Sequence, residues 1–147
     1  MNKYLKILVA ALSATAVMTG FMLLAPFVGL PKMNVGVIIG SVFNSEIIGW
    51  VIHILIGILF VIPYVFFFNR WLPVDNQFLR GTIYGIIVFF FSEIILTIAN
   101  FTGHLSSVDK ENMALMVFGN ALAGMIYGTV LGAFFVRDGK DGLELAK

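Results

Sequence analysis

Four residues with side chains suited to chemistry fall inside long apolar runs: Thr19, His53, Glu93 and Asn120. A histidine titrates near neutral pH and can pass a proton. A carboxyl group inside a membrane is costly to keep there and marks a candidate site by default. At about 1.5 Å of rise per helical residue, His53 falls about 9 Å, Glu93 about 12 Å and Asn120 about 10 Å below the outer edge of their runs. A histidine, a carboxyl and an amide thus share one layer, with Thr19 slightly deeper. If they face inward, they form one buried polar cluster. Glu93, Thr97, Asn100 and His104 follow at spacings of four, three and four, which is one face of a helix. Glu46 stands seven residues before His53, again on one face. These residues outline a polar track from the cluster to the outer surface, with no continuation toward the cytoplasm.

Several chemistries compete for the cluster. In the first reading it is structural: His53, Glu93 and Asn120 satisfy one another and fix helix register, each interhelical hydrogen bond being worth about 0.6–2 kcal/mol. The second is a proton relay or small-solute half-channel through His53 and Glu93. One carboxyl and one histidine are few for a complete path. The third is a haem- or quinone-binding redox accessory. His104 lies about 13 Å above His53 along the membrane normal, so one haem iron cannot take both within a chain. One histidine and one carboxyl also fall short of the three protein ligands of a typical catalytic zinc, so no metal is expected. Ser41, Ser92, Ser106 and Ser107 lack a nucleophile elbow. Phosphate loops and dinucleotide fingerprints are missing too. The absence of cysteine removes thiol and iron–sulfur chemistry. Asn100-Phe101-Thr102 matches a glycosylation acceptor, but it abuts the membrane and reads as chance. The residues imply no enzyme and no cofactor.

The elements that must position these residues follow from composition. Of 147 residues, 60% are hydrophobic and 12% charged. Soluble domains carry roughly a quarter charged residues, so lipid is the expected solvent and the bilayer the first partner. A net charge of +1, with no basic cluster, argues against nucleic acid. A helical span needs about 20 mostly apolar residues. Four runs qualify, at about 7–30, 47–68, 81–101 and 113–136. Each should be helical, because lipid offers no partner for open backbone groups. Pro26 and Pro63 lie near span ends, where a lost hydrogen bond is tolerable. Lys3 and Lys6 before the first run resemble a signal peptide, but the apolar stretch exceeds a signal core, so a true first helix is expected. The sequence therefore reads as an all-α, integral membrane four-helix bundle, a single transmembrane domain over 1–147 with a short cytoplasmic tail at 137–147. Lys3, Lys6, Arg70, Arg80, Arg137, Lys140 and Lys147 fall on one side, and Lys32 and Lys110 on the other. That bias puts both termini in the cytoplasm. Tyr4 and Trp71 then lie at the inner interface and Trp50 nearer the outer one. Short connections at 69–80 and 102–112 make neighbouring helices antiparallel. The apolar outer loop at 31–46 reads either as a short interfacial helix or as a re-entrant turn.

In lipid, helices associate by close approach at small residues. Asn120, Gly124, Gly128 and Gly132 form one ridge on the fourth span, and Gly49, His53 and Gly57 another on the second. Gly81 and Gly85 open a face on the third, and the first is rich in Ala and Thr from Ala10 to Gly20. These seams are expected to hold the bundle together; the alternative is that the fourth-span ridge faces another copy or subunit. The chain resembles a family of small four-helix bacterial inner-membrane proteins of unknown function. The resemblance spans Lys6 to Phe135. It rests on Gly29-Leu30-Pro31, on Gly49-Trp50 with His53 and Gly57, and on Ile126-Tyr127-Gly128 with Val130-Leu131-Gly132. It implies the topology and a bacterial cytoplasmic membrane, and no activity. The expected role is a non-enzymatic structural or accessory subunit, acting as a homo-oligomer or with another membrane protein.

Overall fold

The computed structural model describes residues 2–101 and 112–136, with side chains except those of residues 98–101. Four helical stretches are long and apolar enough to cross a membrane: Lys3–Val28, Glu46–Trp71, Gln77–Thr97 and Met113–Phe134. Each overlaps one of the four apolar runs, and among the described residues no strand occurs.

Helix α1 (Lys3–Leu24) starts where Asn2 Oδ1 accepts from the Tyr4 N–H. It tightens into a 3-10 turn over Ala25–Val28, where Pro26 fits the start of the turn. Gly29 then takes a left-handed φ of 83°, which L side chains avoid, and ends the segment. The segment between the first two long helices holds a short helix, α2 (Val35–Gly40), followed by a 3-10 turn over Ser41–Phe43. Asn34 caps α2 by accepting from the Val37 N–H. Glycine decides how α2 lies: a Cβ on Gly49 would collide with the Gly36 carbonyl, and one on Gly36 would collide with the Trp50 indole. Backbone therefore rests on backbone where α2 meets the start of α3 (Glu46–Pro63).

Pro63 has no N–H to donate, and the hydrogen-bond ladder of α3 slips there. The Tyr64 N–H turns to Val61 O, three residues back. One wider π-helical turn, Tyr64–Phe68, leads into the short α4 (Asn69–Trp71). Asn76 then caps α5 (Gln77–Phe101), its Oδ1 accepting from the N–H groups of Phe78 and Leu79.

Helix α6 (Met113–Phe134) makes its most extensive contact with α5. The facing positions form a continuous seam. A Cβ on Gly132 would strike Gln77 O, one on Gly128 would strike Gly81 O, and one on Gly124 would sit 2.7 Å from Gly85 O. Thr82 and Thr129 add a hydroxyl–hydroxyl contact of 2.7 Å across it. The fourth-span ridge thus faces α5 of the same chain.

Helix α1 packs on both α6 and α3. Its buried Ala10, Ala11, Ala14 and Thr15 leave room for large neighbours. The core beside them holds Val61, Tyr64, Tyr84, Tyr127, Leu131 and Phe135. A second, smaller core of Met22, Ala25, Met33 and Ala123 lies toward the other end of α1. Lys3 stands over the Phe66 ring and Lys6 over the Phe135 ring, each at 5.6 Å. The start of α1 therefore lies beside the end of the second span and the residue after α6.

Candidate functional site

The four expected polar residues do not meet as one network. His53, only 6% exposed, pairs with Thr19: its Nε2 and the Thr19 hydroxyl are 2.9 Å apart, tying α3 to α1. The Trp50 ring stands edge-on to the imidazole with centroids 6.0 Å apart. Glu93 pairs instead with Asn120, whose Nδ2 donates to Glu93 Oε1 and lies 3.5 Å from the Ser92 hydroxyl. This second pair closes the far end of the α5–α6 seam, one turn beyond Gly124. Among the described residues, no hydrogen bond joins the two pairs. Depth along each helix placed the residues in one layer, but the direction in which each faces sends them to different neighbours.

The outer polar track is also divided. Glu46 is exposed; its Oε1 accepts from Asn34 Nδ2 at 3.3 Å and from Trp50 Nε1 at 3.4 Å. It links the cap of α2 to α3 and makes no hydrogen bond to His53. Thr97 is exposed on α5. The side chain of Asn100 and all of His104 lie outside the described residues, as does the tail at 137–147. Gly49 packs on α2, Gly57 on the Thr15 side chain, and Gly124, Gly128 and Gly132 on α5.

A second polar layer is built around tyrosine and arginine. Tyr84 on α5 donates its hydroxyl to Phe60 O, and Tyr127 on α6 donates to Gly57 O. Phe60 O is the acceptor that the Tyr64 N–H leaves when it turns to Val61. A phenol from a neighbouring helix thus supplies a donor where the proline has disturbed the ladder. Lipid could not do so. Tyr64, Phe68 and Tyr84 pack their rings at a tilt nearby, with centroids 5.1 Å apart for Tyr64–Tyr84 and 5.0 Å for Phe68–Tyr84.

Arg80 lies at the edge of this layer and is 0% exposed. Its Nη1 donates to Val74 O at 2.9 Å and its Nη2 to Phe135 O at 3.3 Å. A cation just past the C-terminus of α6 meets the negative end of that helix and ties the loop before α5 to the residue after α6. Among the described residues, the Tyr64 hydroxyl, Arg80 Nε and Asn69 Oδ1 are buried without a hydrogen-bond partner. Sequence reasoning counted Arg80 only toward orientation and gave Tyr64, Tyr84 and Tyr127 no polar role. The available signal was three tyrosines in three apolar runs, since a buried phenol needs a partner for its hydroxyl.

Most of the polar groups are paired within the chain. Among the described residues, no group of three metal-ligating side chains occurs. A model for a family of unknown function (DUF6789) matches residues 1–141. No curated protein and no solved structure matches the chain significantly.

Proposed function

The chain belongs to that family of unknown function, and we propose that it serves as a non-enzymatic, multi-pass membrane protein, a structural or accessory subunit of a homo-oligomer or a larger membrane assembly. The observation that carries this reading is the pairing of polar groups between spans. Thr19 with His53, Glu93 with Asn120, Tyr84 with Phe60 O and Tyr127 with Gly57 O each tie one helix to another. Groups used in this way set helix register. Transport through the cluster needs the two pairs to communicate, and the lack of a hydrogen bond between them among the described residues favours the structural reading. In the same proposal the helices form a four-helix bundle with antiparallel neighbours in a bacterial cytoplasmic membrane, both ends inside. Support comes from the facing pairs Gly81–Gly128 and Gly85–Gly124, and from Lys3, Lys6 and Arg80 lying at one end. With the glycine ridge used inside the chain, the surface left for a partner is made of exposed apolar side chains on all four long helices, such as Leu12, Leu55, Phe90 and Phe118.

Native mass spectrometry of the protein extracted from its own membrane in mild detergent tests the proposal. A mass above one bare chain is the expected result, and a bare monomer would overturn the subunit reading. The transport alternative is tested separately with Glu93→Gln in proteoliposomes. Proton flux should be absent from both proteins. A wild-type flux that the variant abolishes would replace the structural role with transport.

A further inference from the structure

We propose that residues 30–40 form a re-entrant plug that shuts His53 off from water at the outer end of the molecule, with Met33 as the part that lets go. Apolar character alone leaves the path of this segment open, but its neighbours define it. Met33 is only 4% exposed and shares a core with Met22 and Ala25 of the first span and Ala123 of α6. A Cβ on Gly119 of α6 would stand 2.9 Å from Met33 Cε and 3.1 Å from its Sδ. Met22 lies six residues inside the end of the first span, and Gly119 and Ala123 lie six and ten residues inside α6. At about 1.5 Å of rise per residue, these positions are on the order of 9–15 Å below the span ends. After Gly29 the chain therefore turns back between α1 and α6 instead of lying flat across their ends.

The return path completes the seal. Helix α2 runs back beside the first turns of α3, with Gly36 O against Gly49 and Gly40 against Ser45 and Glu46. Gly36 also leaves room for the Trp50 indole, which stands edge-on to the His53 ring at 6.0 Å. His53, only 6% exposed, is thus bounded by Thr19 of α1 and by Trp50, and the indole in turn rests on α2. The two sides of the segment are held differently. Toward α3 the contact is backbone on backbone. Toward α1 and α6 it is made by side chains: Met33, with Leu30 and Val35 packed on the same core. Methionine is unbranched and has three rotatable bonds, so it can leave such a seat without straining the backbone. Gly29, at a φ of 83°, gives the segment a joint where it leaves the first span. Withdrawal of Met33 frees the α2–α3 unit from α1 and α6 and opens a way for water to the Thr19–His53 pair.

Deuterium uptake at the imidazole C2–H reads water access without altering the site, and mass spectrometry of the peptide carrying His53 separates it from His104. The full chain is followed in mild detergent at one pH, with Met33→Ala and the milder Met33→Val as variants. Leu131→Ala serves as a control cut in the core at the other end of α1. Circular dichroism checks that each variant keeps its helices; should Met33→Ala lose them, Met33→Val decides alone. Slow uptake is expected in the wild type, with a rise of about tenfold in Met33→Ala, a smaller rise in Met33→Val and none in Leu131→Ala. Unchanged uptake in the folded Met33 variants overturns the proposal. So does an equal rise in Leu131→Ala, which would mean general loosening, or wild-type uptake as fast as in the denatured chain.

Discussion

Tyr84 donates its hydroxyl to a carbonyl at the point where the helix ladder slips after Pro63. Tyr84→Phe keeps the ring packed on Tyr64 and Phe68 and removes only that donor. A backbone carbonyl facing hydrocarbon without a partner is expected to lower stability by about 1 kcal/mol, read as an earlier unfolding midpoint in a detergent-denaturant titration. An unchanged midpoint would show that Phe60 O finds another donor. This residue also shows where sequence reasoning stopped. Tyrosine in an apolar run reads as one more large hydrophobe, because its partner is a carbonyl that no side chain in the sequence announces. Arg80 reads as a surface marker of orientation for a related reason: its two acceptors, Val74 O and Phe135 O, are backbone groups brought to it by the fold. His53, Glu93 and Asn120 were legible as polar residues that need partners. Their true partners depend on which way each helix faces, and residue spacing within one helix does not determine that.

The glycines separate into those that touch and those that do not. A Cβ on Gly128 would meet backbone atoms of Gly81 and Gly85, which cannot swing aside, whereas one on Gly20 in α1 would meet nothing within 4 Å. The same substitution should therefore act differently on the two helices. Gly128→Ala is expected to cost about 3 kcal/mol by forcing α5 and α6 apart. Gly20→Ala should stay within about 0.5 kcal/mol of the wild type. Thermal unfolding of the two variants side by side checks the contrast, and equal effects would mean that the seam tolerates a wider spacing. The four long helices were legible because twenty-odd apolar residues leave little choice in lipid. The shape of the 31–46 segment was not. Its helix is set by contact between Gly36, Gly40 and Gly49 across two elements, and a short apolar stretch with two glycines fits several backbone paths equally well.

On the scale of the whole molecule, the basic ends of the helices lie together, and the absence of cysteine gives a clean background for mapping sides. In intact cells or sealed vesicles, Asn2→Cys and Asp75→Cys should react with an impermeant thiol reagent from the cytoplasmic side only, and Asn34→Cys from the outer side only. Labelling of Asn2→Cys and Asn34→Cys from the same side would refute the proposed topology. The glycine contacts also bear on how this protein can move. Two pairs of helices meet backbone to backbone, α5 with α6 and α2 with the start of α3. Little side chain separates the backbones at these joints, so each pair is expected to move together. Between the pairs run α1, with its alanines, and the reaching phenols of Tyr84 and Tyr127, which can let go and take hold again by turning about single bonds. A slide of one pair past the other would therefore require the two phenols to break and remake their bonds to Phe60 O and Gly57 O.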